Sequence, residues 1–190
     1  MTTTNRSGRV LVVDDERAVA DLYANWLEPD HDVQVAYDGN QALELATDDV
    51  DVVFLDRQMP GQSGDEVLEV LDERGFDCRI VMVTAVDPGF DIVEMPFDDY
   101  LIKPVTREAL TESVADMLTR DTYDEQMQEY FALVSKKATL DAQKSRAELA
   151  ESEAYAEITT RVDEFRNRVD ETAAQVTSFE GLFYELPGGN

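Results

Sequence analysis

Apolar residues in the first 120 positions follow two alternating rhythms. Short continuous runs read as buried strands: Val10–Val13, Val33–Val35, Val50–Leu55, Ile80–Val83 and Tyr100–Ile102. Between them, apolar residues recur at helical spacing. Val19, Leu22, Tyr23, Trp26 and Leu27 form one such set, Ala42, Leu43 and Ala46 a second, Val67, Leu68 and Leu71 a third. Leu110, Val114, Met117 and Leu118 form the last. Local signals bound these helices. Asp38 with Gln41 and Ser63 with Glu66 have capping-box spacing, Thr106 precedes the last helix, Pro29-Asp30 closes the first and Gly75 the third. A strand–helix unit repeated five times over residues 9–120 predicts an α/β domain with a five-stranded, parallel, doubly wound sheet. The stretch Val86–Asp99 is short and is interrupted by Pro88, Gly89 and Pro96, so a single turn or no helix is expected there.

After residue 121 the strand-like runs stop, and no Pro or Gly occurs before Gly181. Tyr123, Met127, Tyr130 and Val134 step at helical spacing, which then weakens through Leu140, Lys144 and Ala147. Tyr155, Ile158, Val162, Phe165, Val169, Thr172, Val176, Phe179 and Phe183 restore a strict heptad. Residues 121–184 therefore read as an all-helical hairpin or coiled-coil segment, pairing within one chain or between two copies as a homodimer. Residues 1–8 and 185–190 are expected to be flexible ends.

Charge narrows the setting. The 190 residues carry 42 Asp and Glu against 16 Lys and Arg, a formal net charge of −26. The lysines are Lys103, Lys136, Lys137 and Lys144. Such a balance disfavours unassisted binding to nucleic acid or anionic lipid. In molar salt the Debye length falls to about 3 Å and self-repulsion is screened, so an acidic, lysine-poor chain fits a high-salt cytoplasm. The lone Cys78 admits no intramolecular disulfide. No apolar run reaches the ~18 residues of a membrane span. The single His31 is expected at the surface, and Lys136, Lys137, Lys144 and Arg146 form a small basic cluster, expected to be a solvated helix face or ion-paired.

The chemistry lies where the strands end. Asp14-Asp15, Asp56, Thr84 and Lys103 each follow an apolar run, and open parallel sheets bind ligands outside their strand carboxyl ends. Three clustered carboxylates need compensation. Mg²⁺ supplies it, because this hard cation takes one or two carboxylates, keeps waters and shares itself with phosphate. An ammonium at Lys103 and a hydroxyl at Thr84 around Asp56 suit phosphoryl transfer onto that carboxylate.

The segments Val10-Leu-Val-Val-Asp-Asp15, Phe54-Leu-Asp-Arg-Gln-Met-Pro-Gly61, Val83-Thr-Ala85 and Asp98-Asp-Tyr-Leu-Ile-Lys-Pro104 resemble the receiver domain of two-component response regulators. The resemblance covers Arg9 to Arg120 and implies a flavodoxin-like fold. It implies that Asp56 is the phosphoacceptor, Asp15 a direct Mg²⁺ ligand, Asp14 a partner through metal-bound water and the Gln58 carbonyl the third protein ligand. It further implies that Thr84 and Lys103 contact the phosphoryl group, that Tyr100 is the switch aromatic, that Ala85 leaves room beside the phosphate and that Lys103–Pro104 is cis.

The segment Asp121–Leu140, with Glu151–Ile158, is similar to the HalX domain found behind receivers in haloarchaea. Together the two resemblances imply a cytoplasmic phosphorelay response regulator. A histidine kinase would be its donor, and an unknown downstream protein would receive the signal, with transcription regulated. The chain would be no enzyme beyond its own phosphorylation and dephosphorylation. Two other classes compete. A transcription factor binding DNA directly is disfavoured by charge, and a protein–protein signalling adaptor without a transcriptional role stays open. An aspartyl-phosphate phosphatase lacks its second Asp, since Arg57-Gln58 follows Asp56, and a dinucleotide-binding oxidoreductase lacks its glycine-rich turn, where Asp14-Asp15-Glu16 stands instead.

Gln58 and Val86 lie two residues beyond Asp56 and Thr84, beside the path of a water attacking the acyl phosphate. Valine cannot orient a water, so slow autodephosphorylation is expected. Val86→Glu or Val86→Asn should change the decay rate of the phosphorylated protein; an unchanged rate counts against this reading.

Overall fold

The computed structural model describes residues 7–85, 88–120 and 125–167. Val86, Tyr123 and the heptad positions from Val169 onward lie outside the described residues.

The apolar runs form β1 (Arg9–Val13), β2 (Asp32–Ala36), β3 (Val52–Leu55), β4 (Arg79–Thr84) and β5 (Asp99–Ile102). They pair in parallel in the order β2-β1-β3-β4-β5. Helices α1 (Arg17–Leu27), α2 (Gly39–Leu45), α3 (Gly64–Glu73) and α4 (Arg107–Arg120) connect or follow them. Strand residues alternate between faces, and the core divides accordingly. Val10, Val12, Val52, Phe54, Val81 and Val83 pack against α1 and α4, through Tyr23, Leu27, Leu110 and Met117. Leu11, Val13, Val53, Leu55, Ile80 and Met82 face the other way, toward Ala42, Val67, Leu68 and Leu71 of α2 and α3. Strands buried on both faces explain why β1, β3 and β4 are continuous apolar runs.

The local signals work as their chemistry requires. The Ser63 hydroxyl accepts from the Glu66 N–H, and the Glu66 carboxylate accepts from the Ser63 N–H, a complete capping box. The Asp38 carboxylate caps α2 by accepting from Gln41 N–H and from Gln41 Nε2, while Gln41 Oε1 accepts from the Tyr37 N–H rather than from the Asp38 N–H. Thr106 Oγ1 accepts from Ala109 N–H ahead of α4. Gly75 ends α3 at φ +68°, a left-handed conformation that glycine adopts without strain.

Between β4 and β5 the chain makes a single 3-10 turn, Phe90–Val93, in place of a crossover helix. The uncovered side of the sheet is completed from further along the chain. After Arg120 come α5 (Glu125–Gln143), α6 (Arg146–Glu151) and α7 (153–167). Leu133 and Leu140 of α5 and Ile158, Val162 and Phe165 of α7 are buried in the same core as Met82, Ile92, Phe97 and Tyr100. The helical segment and the sheet thus share one apolar interior. Within the described residues the heptad pairs inside the chain: the Tyr130 and Phe165 rings pack at a tilt with centres 5.9 Å apart, and Arg161 meets Glu129 at 2.9 Å. The bend between α5 and α6 needs neither Gly nor Pro. Ser145 breaks the run by forming a capping box with Glu148, and the Ser152 hydroxyl accepts from Tyr155 N–H at the start of α7.

Three expectations are corrected. His31 is buried, not at the surface: its Nδ1 accepts a hydrogen bond from Gly8 N–H at 3.2 Å, and burial lowers its pKa. Gly8 is accordingly no flexible end; it is buried, and its carbonyl accepts from Asp32 N–H at 3.0 Å. Lys136 belongs to no solvated basic cluster. It is buried, with Nζ 2.6 Å from the Met95 carbonyl oxygen and 4.8 Å from the Phe97 ring centre. Burial pushes its ammonium down to about 8, against the attraction of Asp98. Lys137 is ion-paired with Asp141 at 2.8 Å.

Three outcomes follow from this packing. Leu140, fully buried between sheet and helices, should cost about 2–5 kcal/mol on substitution by Ala. Because the core is shared, urea denaturation followed by the helical and by the sheet signal should move together. Burial holds the folded pKa of His31 below the ordinary histidine value, so the unfolded chain binds more protons at mildly acidic pH. Its stabilising contribution is complete above pH 6.5 and is lost as pH falls below it. His31→Asn should flatten that acid limb in denaturation curves taken across pH.

Candidate phosphoacceptor site

The topology places the site. The strand order reverses direction at β1 and β3, and the crevice outside their carboxyl ends is where such sheets bind ligands. The register sets Val13 beside Leu55, and Asp56 N–H donates to the Val13 carbonyl at 2.9 Å. The next residues on the two strands, Asp14 and Asp56, are therefore neighbours. Asp14 and Asp56 are buried and Asp15 is partly exposed. One carboxylate oxygen from each of the three lies within 4.8 Å of the others.

Lys103 reaches this pocket from the end of β5. Its backbone N–H donates to the Thr84 carbonyl at 2.9 Å, which continues the β4–β5 ladder one step past the strands. Its ammonium then bridges Asp14 Oδ2 at 2.6 Å and Asp56 Oδ2 at 2.7 Å. Lys103–Pro104 is cis, as the resemblance implies. The second Asp14 oxygen accepts from Glu16 N–H at 2.9 Å, and Asp56 Oδ1 accepts from Gln58 N–H at 3.2 Å.

The electrostatics are unequal. Burial would discourage the Lys103 ammonium, but two carboxylates together hold its pKa above the ordinary lysine value. Asp14 gains only a share of that one ammonium, and burial leaves its pKa raised, with Asp56 adding repulsion. One cation among three carboxylates leaves a pocket with surplus negative charge and oxygen donors only. That donor set fits a hard divalent cation.

The sequence-predicted residues divide into two groups. Asp14, Asp15, Asp56 and Lys103 form one constellation with the Gln58 backbone beside it. Thr84 is buried at the end of β4, joined to Lys103 through its carbonyl, and Ala85 next to it is exposed. Tyr100 is buried toward the opposite side of the sheet edge, with its ring 5.7 Å from Phe97. Burial raises the pKa of its hydroxyl, and the nearby Arg57 guanidinium, next to Asp56 in the chain, acts against that rise.

Arg57 and its partners are the residues that motif reading passed over. Arg57 Nε meets both Asp65 oxygens, at 3.0 and 3.1 Å, and its Nη2 pairs with Asp91 in the 3-10 turn. Its position immediately after Asp56 was the available signal. Gly64 is a second such residue. A Cβ there would sit 2.0 Å from the Asp56 carbonyl oxygen, so only glycine lets α3 start this close to the loop after β3.

The chain matches the family model for the response regulator receiver domain over residues 10–115 and that for the HalX domain over residues 119–183. It is 48% identical over 158 residues to a Haloferax volcanii protein described as a "Putative transcriptional regulator". That match covers 83% of this chain but 27% of the relative, so the chain spans about a quarter of the relative's length. Among solved structures, a Francisella response regulator receiver domain is 30% identical with a TM-score of 0.56, covering 60% of this chain and 98% of that one. A CheY-like receiver domain protein from Methanospirillum hungatei is 25% identical with a TM-score of 0.57, covering 60% and 96%. The response regulator TrrA from Thermotoga maritima, solved in complex with Mg²⁺ and BeF, is 30% identical with a TM-score of 0.51, covering 58% and 98%. Five parallel strands in this order, an acidic pocket at the β1–β3 crevice and a family match over more than half of the chain lead to one conclusion: this chain belongs to the response regulator receiver family, with a HalX domain behind the receiver.

Proposed function

We propose that the chain is a phosphorelay response regulator that takes a phosphoryl group onto Asp56 from a partner histidine kinase. The observation that carries this reading is the Lys103 ammonium bridging Asp14 and Asp56 at 2.6 and 2.7 Å beside a third carboxylate. Asp14, Asp15, Asp56 and the Gln58 carbonyl would hold Mg²⁺. When bound, the metal neutralises charge on the transferring group.

The chain's own residues do the rest. An oxygen of Asp56 attacks the phosphorus of the phosphohistidine. The P–N bond breaks, and its electron pair stays on the imidazole nitrogen, which takes up a proton. The oxygens of the transferring group gain negative charge, and Lys103 donates to them along with the Thr84 hydroxyl. Lys103 must leave its bridge to do so, which couples arrival of the phosphoryl group to a change of partner at Asp14. Tyr100 is the switch aromatic, read out through the residues around it. The receiver unit spans 9–120 and the helical output segment 121–184.

The output reading is transcriptional control, supported by the description of the Haloferax volcanii relative. Control through a protein partner is favoured over direct DNA contact. The segment from 121 to 190 has 15 acidic and 7 basic residues, and Lys136, the centre of its basic cluster, is buried. Phosphate contacts would have little to work with. The protein acts as a signalling switch whose chemistry is confined to itself.

Acetyl phosphate with Mg²⁺ should label the wild-type chain in high-salt buffer, and Asp56→Asn should remove the label entirely. Lys103→Met should slow labelling by about 10²-fold, as loss of a preorganised donor does elsewhere. Phosphate-affinity electrophoresis reads both. An Asp56→Asn protein labelled as well as wild type would sink the assignment.

A further inference from the structure

Two cations outside the carboxylate pocket hold the same short turn from opposite ends. Arg57, adjacent to Asp56 in the chain, pairs with Asp91 at the start of the 3-10 turn Phe90–Val93 while holding Asp65 of α3. Lys136 of α5 grips the other end. Its Nζ donates to the carbonyl oxygens of Met95 at 2.6 Å and Val93 at 3.5 Å. Carbonyls at the end of a helical turn are short of partners and favour a cation. Beside this grip, the Ser135 hydroxyl donates to the Asp99 carboxylate on β5.

We propose that the Phe90–Val93 turn couples the Asp56 pocket to the helical segment, with Arg57 holding its first end and Lys136 its second. This rests on the reading of Asp56 as the phosphoacceptor. The turn is four residues long, and Ile92 and Val93 anchor it in the core. So short an element has no slack to absorb a shift at one end. A phosphoryl group on Asp56 adds negative charge one residue from Arg57. It competes with Asp65 and Asp91 for the guanidinium, which Tyr100 also shares. Weakening the Arg57–Asp91 contact frees the start of the turn, and the carbonyls that Lys136 holds move with it. The docking of α5 on the sheet edge then depends on the state of Asp56. By linkage, the grip of Lys136 must in turn alter the affinity of the pocket for a phosphoryl analogue.

Hydrogen exchange on the full chain, with and without beryllofluoride and Mg²⁺, tests this, while fluorine NMR reports whether beryllofluoride is bound. In the wild type, binding should change exchange in Phe90–Val93 and in α5 by about fivefold or more. Asp91→Asn, at an exposed carboxylate, and Lys136→Met, which keeps the apolar stem, should each shrink that change. Lys136→Met should also shift the beryllofluoride affinity by about fivefold. Bound beryllofluoride with unaltered α5 exchange in the wild type overturns the coupling alone, as does an undiminished response in both variants. A wild-type chain that binds no beryllofluoride overturns the phosphoacceptor reading and the coupling with it.

Discussion

The structure is organised around a shortage of positive charge at one point. Asp14, Asp15 and Asp56 converge at the β1–β3 crevice, and the Lys103 ammonium is the cation that bridges two of them. Like charges this close are tolerated only when compensated. The compensation must cross the sheet, because Lys103 sits at the end of β5 while the carboxylates end β1 and β3. The β3–β4–β5 register, with Thr84 opposite Ile102, fixes how far that ammonium reaches. One ammonium cannot satisfy three carboxylates, so the folded pocket keeps an electrostatic deficit. Burial raises the pKa of Asp14 despite Lys103, with Asp56 adding a smaller repulsion, and the surplus of carboxylates is what makes the pocket receptive to a further cation.

What was legible in the sequence was what local chemistry encodes. The runs of β1, β3 and β4 read as strands because each is buried on both faces, and the Ser63–Glu66 and Thr106 caps read correctly because donor and acceptor lie three residues apart. The convergence of Asp14, Asp56 and Lys103 was legible because each directly follows a strand. Apart from the Arg57 pairs with Asp65 and Asp91, the contacts that escaped have a backbone group as partner. Lys136 meets the carbonyls of Val93 and Met95, and His31 meets the N–H of Gly8. No side chain at the far end announces such a bond, so a lysine on a helix reads as solvated and a lone histidine as exposed. The break at Ser145 is the opposite case. Its capping box with Glu148 was written in the sequence, but the weakened periodicity around it obscured a helix boundary set by a side-chain bond.

Acidic composition decides which contacts persist in strong salt. Arg9 pairs with Asp32 and Asp49 at exposed positions, where ion pairs are worth at most about 1 kcal/mol and are screened further as salt rises. Arg57, Lys103 and Lys136 are mostly withdrawn from solvent and are screened far less. With few cations in the chain, those three positions tie the carboxylate pocket, the 3-10 turn and α5 to one another.

The same economy explains how the sheet is completed. A turn of four residues between β4 and β5 cannot cover the apolar side of those strands, which a longer helix would otherwise shield. Leu133, Leu140, Ile158 and Val162 supply that cover from beyond residue 121. Apolar burial is worth roughly 25 cal/mol per Å², so removing α5 and α7 would expose Ile92, Phe97 and Tyr100 along with their own apolar faces. The helical segment therefore cannot swing away as a loosely tethered module without a large cost to the sheet. Smaller motions at its contact with β5 and the turn are much cheaper, because they exchange polar contacts at Lys136 and Ser135 rather than the whole apolar interface. A helical segment that also completes the core is thus confined to local rearrangement at that edge.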